Sequence, residues 1–169
     1  MLTAMPSATR APDSTRPAPA PDDAAAASPP WLVVWVAAER FAVPLATVRE
    51  MIEWPVVVAE RALPPSAVGV TAGRDGRVVL WSGAQALGQR AADPAGLALV
   101  LDGAAGPTGL VADRVADVMT IPDSAIRALP TLDDPGRIVL GVARDEVGLI
   151  TMLDATRLTR ALPGLTEVA

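Results

Sequence analysis

The chain has 169 residues, is 51% hydrophobic but only 3% aromatic, and carries a net charge of −5, which fits one domain of ordinary size with a core of Val, Leu, Ala and Ile, plus a tail. It holds no Cys, His, Tyr or Lys, and all 14 basic residues are Arg; disulfides, thiolate or imidazole metal sites, Schiff-base chemistry and a phosphate-loop lysine are thereby excluded. An acidic chain with scattered arginines is a poor match to nucleic acid. No apolar run approaches the roughly 20 residues that span a bilayer, and no secretion-signal core opens the chain, so a cytoplasmic protein without membrane insertion is expected.

The first 30 residues contain 7 Pro and 9 Ala. Such a segment cannot bury enough apolar surface to offset its ordering entropy, so 1–29 is expected to be a disordered tail and 30–165 the folded domain. Trp31 to Ala38 is then apolar on both alternating sets, Trp31, Val33 and Trp35 against Leu32, Val34 and Val36. That reads as a strand covered on both faces. Phe41 to Leu45 runs back as the second strand of a hairpin, with Pro44 marking an edge or an end. From Ala46 to Glu53 the spacing predicts a short helix, with Leu45, Val48 and Ile52 on one face and Arg49, Glu50 and Glu53 around the other. Trp54-Pro55 stops it.

Pro55 to Val58 is expected to be extended. Ala67 to Thr71 and Arg77 to Trp81 are expected as strands joined by a tight turn at Gly73-Arg74-Asp75-Gly76. Ser82 to Leu87 predicts a brief helix capped by Gly88, followed by a polar loop over Gln89 to Pro94. Leu97 to Leu101 and Gly109 to Ala112 flank a hairpin loop, and Asp113 to Ile121 continues as a strand with a bend. Turns at Pro122-Asp123 and Asp133 to Gly136 precede two further strands, Ile138 to Val142 and Val147 to Leu153. Asp154 is a good N-cap for a helix over Ala155 to Leu162, ended by Pro163-Gly164. Short strands at regular spacing with little helix argue for an all-β barrel or sandwich. No internal sequence repeat stands out.

No catalytic constellation emerges. The glycine-rich loop Gly103 to Gly106 lies between two strands, whereas a phosphate cradle needs a helix N-terminus behind it. Asp133-Asp134 sits in a Pro/Gly turn. Asp113 and Asp117 have no His or Cys beside them, and Ser66, Ser82 and Ser124 have no base to activate them. Of the four tryptophans, Trp31, Trp35 and Trp81 read as core. Trp54 also reads more readily as core than as an exposed interface anchor.

Several separated segments, in order, resemble one family. Phe41-Ala42-Val43-Pro44-Leu45 after a hydrophobic strand, Val48-Arg49-Glu50-Met51-Ile52, Val68-Gly69-Val70-Thr71, the stretch Val111 to Thr120, and Gly148 to Leu158 are similar to the CheW-like domain, the coupling adaptor of bacterial chemotaxis arrays. The resemblance covers nearly all of residues 31–162. It implies two small five-stranded SH3-like β-barrels packed together, all-β with minor helix, and no catalytic activity or cofactor. It implies a scaffold that couples the cytoplasmic tip of a chemoreceptor to the regulatory domain of a histidine kinase. The family's contact residues fall on Val48, Glu50, Gly69 and Arg74, with Val48 and Glu50 expected on a helix. The loop differs from the family's Asn-Leu-Arg-Gly, reading Ala72-Gly73-Arg74-Asp75-Gly76; Leu80 stands for a Pro, and Gly83-Ala84-Gln85 for an acid–base pair. A module of the same fold docking a different partner, such as a polar-localisation or pilus-associated factor, is the alternative. A small ligand-binding or enzymatic barrel is a third reading, disfavoured by the missing His, Cys, Lys and Tyr.

Overall fold

The structure, a computed structural model, describes residues 28–61, 63–64, 67–90, 96–130 and 137–162. The expected tail up to residue 27, Ser66, the turn at Asp133-Asp134 and the stop at Pro163-Gly164 lie outside these residues.

The chain opens as anticipated. Strands β1 (Pro30–Val36) and β2 (Glu39–Pro44) pair antiparallel from Trp31–Pro44 to Val36–Glu39, which leaves Ala37-Ala38 as the turn. Ala37 adopts a left-handed φ of 53° there. The next segment departs from the helix expected over Ala46 to Glu53. Only Leu45–Thr47 turns, as one 3-10 turn, and Val48–Glu53 is a strand, β3. Val48 and Ile52 are four residues apart, a spacing that satisfies both a helical face and a strand face. Val48, Glu50 and Ile52 point inward while Arg49, Met51 and Glu53 are exposed, the strand's period of two. The partner decides: β3 pairs along β6 (Leu97–Leu101), from Val48–Leu101 to Glu53–Leu97.

The remaining elements are β4 (Ala67–Gly73), β5 (Gly76–Ser82), helix α1 (Gly83–Ala86), β7 (Thr108–Ala112), β8 (Arg114–Thr120), β9 (Val139–Arg144), β10 (Leu149–Leu153) and helix α2 (Ala155–Ala161). Both helices open on a side-chain cap, at Asp154 as expected and at Ser82 for α1. The Ser82 hydroxyl accepts from the Gln85 N–H and the Asp154 carboxylate from the Arg157 N–H. Gly88 takes a φ of 70° after α1.

The strands form two five-stranded sheets, ordered β8-β1-β2-β10-β9 and β3-β6-β7-β5-β4. The two orders share one topology. In each, an edge strand pairs with an antiparallel hairpin, β1-β2 or β6-β7, whose second strand runs parallel to one strand of another hairpin, β10-β9 or β5-β4. A short helix follows β10 and β5 alike. The repeat is permuted in sequence, because the second sheet is inserted between β2 and β8, and so it does not show as a repeated motif.

Each sheet is also rounded off in the same way. The segment after β3 makes one bridge to the far edge, Val58 to Val70 of β4, and the segment after β8 bridges Arg127 to Val142 of β9. Both approaches need a glycine. A Cβ on Gly69 would lie 2.5 Å from Val57 Cγ1, and one on Gly141 would lie 2.5 Å from the Arg127 carbonyl oxygen. The ladders thus give two curled, open sheets, each with a single bridge across its edges, where closed barrels were expected. Pro55 cannot donate to a ladder, and Trp54 turns left-handed with φ 48°, so β3 breaks before a continuous pairing with β4 can form.

This curl explains the doubly apolar run of β1. Leu32, Val34 and Val36 join Leu97, Leu99, Leu101, Leu110, Leu153 and Leu158 in a core between the sheets. Trp31 and Val33 face the other way, with Ala42, Ile121, Ile150 and Met152, in a core inside the first sheet's curl. Val78, Leu80, Ala98 and Val100 form the matching core of the second sheet. Trp31 and Trp81 are core, as read from the sequence; Trp35 is half-buried at the open mouth of the first sheet.

A candidate protein-docking site

The four residues singled out by resemblance all lie on the second sheet, at one edge and one hairpin. Val48 is half-buried at the start of β3, where it packs against the core between the sheets. Arg74 and Asp75 form the exposed two-residue tip of the β4–β5 hairpin, between the paired Gly73 and Gly76. Glu50 reaches this tip from β3: its Oε1 accepts a hydrogen bond from the Arg74 backbone N–H at 2.8 Å. The same oxygen occupies the space beside Gly73, where a Cβ would lie 2.7 Å from it. Glu50 is therefore committed to holding the loop, while the Arg74 side chain is exposed.

Arg49, on the outward face of β3, braces the tip from the other side. Its Nε donates to Asp102 at 2.7 Å and its NH1 to Asp75 at 3.4 Å, which links β3, the β6–β7 loop and the hairpin tip. These are solvent-exposed pairs and add well under about 1 kcal/mol each to stability; their effect is on the geometry of the tip.

Gly69 is buried rather than presented. Its missing side chain leaves room for Val57 and the Val58 carbonyl, so it seats the segment Pro55–Val58 against β4. That segment is the feature that a reading of the sequence misjudges. Trp54 is 73% exposed and Val56 is 79% exposed, with Met51, Val57 and Val58 also exposed beside them. The run Trp54-Pro55-Val56-Val57-Val58 has the composition of a core strand, and only the break at Trp54-Pro55 hints that it leaves the sheet. Between it and β4 lies a cleft of about 470 Å³, lined by Ile52, Trp54, Val56, Val70 and Thr71, with the ion pair of Arg77 and Glu60 at its border. An exposed apolar surface of this kind is a candidate interaction site.

Gly69→Val tests the seating role. Its side chain meets backbone at Val58, which has no room to give, so a loss of about 1–3 kcal/mol in denaturant unfolding is expected, together with loss of exchange protection at the Val58 amide. Unchanged protection at Val58 would remove Gly69 from the site altogether.

The chemistry-bearing residues elsewhere do not assemble. Gly103 to Gly106 closes as a turn, Gly106 N–H to Gly103 carbonyl, between β6 and β7. Among the described residues no group of three acidic side chains is placed to hold a metal ion. No described helix is long and apolar enough to cross a membrane.

A family model described as "CheW-like domain" matches residues 30–162. No curated protein matches the sequence. Among solved structures, the scaffolding protein TtCheW from Thermoanaerobacter tengcongensis is similar in fold, with a TM-score of 0.67 at 18% identity, over 78% of this chain and 92% of that one.

Proposed function

The chain belongs to the CheW-like domain family, and from that premise we propose that it is a non-enzymatic adaptor of a chemosensory pathway. In this reading it is cytoplasmic and couples the cytoplasmic tip of a chemoreceptor to the regulatory domain of a histidine kinase. The adaptor domain runs over 30–165, and each sheet with its bridging segment corresponds to one SH3-like unit of the family.

The observation that carries the reading is the second sheet's edge. There an apolar cleft, open at Trp54 and Val56, lies on the same sheet as an arginine tip fixed from behind by Glu50. Such a surface needs no cofactor and no moving part. An amphipathic helix can lay an apolar ridge into the cleft, and Arg74 can set its register against an acidic position. Val48 and Gly69 act from beneath, Val48 by anchoring β3 to the core and Gly69 by seating the cleft wall.

The roles separate experimentally. The protein would be titrated against a kinase regulatory domain and a receptor-tip fragment of the same organism. Trp54→Ala is expected to weaken at least one of the two about tenfold to 30-fold, as loss of an exposed aromatic anchor does. Arg74→Glu is expected to weaken binding with a reduced salt dependence. Glu50→Arg removes the acceptor of the Arg74 amide and weakens binding by loosening the tip, which shows as faster exchange at that amide. Binding to neither partner would sink the coupling role. The altered loop, Ala72 to Gly76, favours a different protein partner on the same fold as the second reading; in that case Trp54→Ala still weakens the interaction.

A further inference from the structure

The first sheet ends in β8, a strand of seven residues whose only ladder is with β1. Arg114 to Val118 are all exposed along it. An edge of this length presents backbone N–H and C=O groups that have no partner strand. The Val118 N–H is instead held by its own neighbour, Asp117 Oδ1, at 2.7 Å. A bulge at Ala116 sets the two faces of the strand. Val115 lies opposite Val34 and Val118 opposite Leu32, so these exposed valines share one face. Arg114, Asp117 and Met119 lie opposite Trp35, Val33 and Trp31 and share the other. There the Arg114 guanidinium stacks over Trp35, 4.7 Å from the ring centroid, which holds it at the edge. Arg40, on the same ring at 5.9 Å, is taken up by both Asp145 oxygens. Among the described residues no carboxylate pairs with Arg114 and no cation with Asp117. A cleft of about 340 Å³ separates this face of β8 from Val147 and gives its side chains room.

β8 thus carries one cation and one carboxylate on one face and two exposed valines on the other. A strand with that pattern complements itself when run in the opposite direction. We propose that β8 is a homotypic interface, in which two copies of the chain pair their β8 strands antiparallel about a two-fold axis. Val115 of each copy lies opposite the partner subunit's Val118. The valine contact then occurs twice on one face. On the other face Arg114 lies opposite the partner subunit's Met119 and diagonal to the partner subunit's Asp117, again twice. Such a diagonal is within reach of a side chain as long as arginine. The partner's backbone takes over the Val118 N–H, and the Asp117 carboxylate so released is the one that meets Arg114. The contact is isologous and closes at two, so both open edges are removed and no strand is left for a third copy. The bulge and the charges select this pairing. An unrelated strand, or another register, leaves Arg114 and Asp117 facing apolar or like-charged groups. The inference does not rest on the adaptor reading of the second sheet.

Sedimentation equilibrium of the full chain at low salt is expected to show a monomer–dimer equilibrium between about 10 μM and 1 mM, as suits a small interface. Hydrogen exchange at the Val115 and Val118 amides should slow as the dimer forms. Arg114→Asp places like acids together on both sides of the axis, and Asp117→Arg places like bases. Each alone is expected to weaken association about tenfold or more. Mixed in equal amounts, the two variants should form a heterodimer with both ion pairs restored in reversed sense, and the double variant should associate with itself again. Since each variant rescues the other, a failure to fold does not account for that outcome. A monomer at every concentration, a dimer unmoved by either charge reversal, or no rescue on mixing would overturn the proposal.

Discussion

Leu32→Ala is expected to destabilise both sheets together, by about 3–4 kcal/mol, in a single unfolding transition. Leu32 is fully buried, and its neighbours in the core come from β1, β2, β6, β7, β10 and both helices. Removing its branch leaves a cavity walled by Leu99, Leu101, Leu110, Leu153 or their neighbours, none of which can move in without opening the contact between the sheets. The cost combines lost transfer free energy with an unfilled void. Tryptophan fluorescence and far-ultraviolet circular dichroism should therefore report one shared midpoint, shifted by the mutation. Val118→Ala is the control: the residue is half exposed on an edge strand, and its truncation should change stability by less than about 0.5 kcal/mol. Two separated transitions in Leu32→Ala would show that the sheets fold independently and that the core between them is a docking interface.

Asp145→Asn is expected to cost about 2–3 kcal/mol at neutral pH and to flatten the acid limb of the stability curve. Arg40 is 6% exposed and its guanidinium is held by both Asp145 oxygens. The aspartate also accepts from the Val147 and Gly148 N–H groups, so it ties the start of β2 to the β9–β10 turn. The Arg40 hydrogen bonds, above all, hold the Asp145 carboxyl well below the usual carboxylate range; partial burial opposes them, and the Gly148 and Val147 amides assist. A carboxyl whose folded pKa is depressed stabilises the fold above its unfolded pKa, about 3.9, and that contribution is lost as pH falls from there toward the folded value. The wild type should therefore lose stability steeply below about pH 4, and the variant less so. In the variant the amide cannot balance the buried guanidinium, which accounts for the loss at neutral pH. Denaturant unfolding of both proteins between neutral and strongly acid pH checks this; parallel curves would show that Asp145 is not the residue that sets the acid limb.

The misreading of β3 shows where a sequence runs short. Val48 and Ile52 fit a helix face as well as a strand face over so few residues, and no local signal separates the two. The choice is made by β6, some fifty residues later in the chain, whose backbone pairs with β3. Trp54 is a second case. Its neighbours are apolar, so composition places it inside, yet the left-handed turn at Trp54 and the proline after it send the segment outside the sheet. The segment then returns to β4 only because Gly69 leaves space for it. For the candidate site, the sequence singled out Val48, Glu50, Gly69 and Arg74 by resemblance but not Trp54, and it did not show what each of them touches. Glu50 looked like a surface charge for a partner, and it is instead occupied by the amide of Arg74.

The sequence by itself determined most of the strands, the opening hairpin, the turn at Gly73 to Gly76, the Asp154 cap, and the double-faced burial of β1. These follow from hydrophobic period, turn chemistry and side-chain capping, all of which act over a few residues. It also excluded thiolate, imidazole and lysine chemistry outright, because the groups are missing. Tertiary structure alone decided that β3 is a strand, that the two sheets repeat one topology through a permuted order, and that Trp54 faces solvent beside an arginine tip. Those outcomes depend on contacts between residues far apart in the chain, where pairing and packing free energies outweigh local preference.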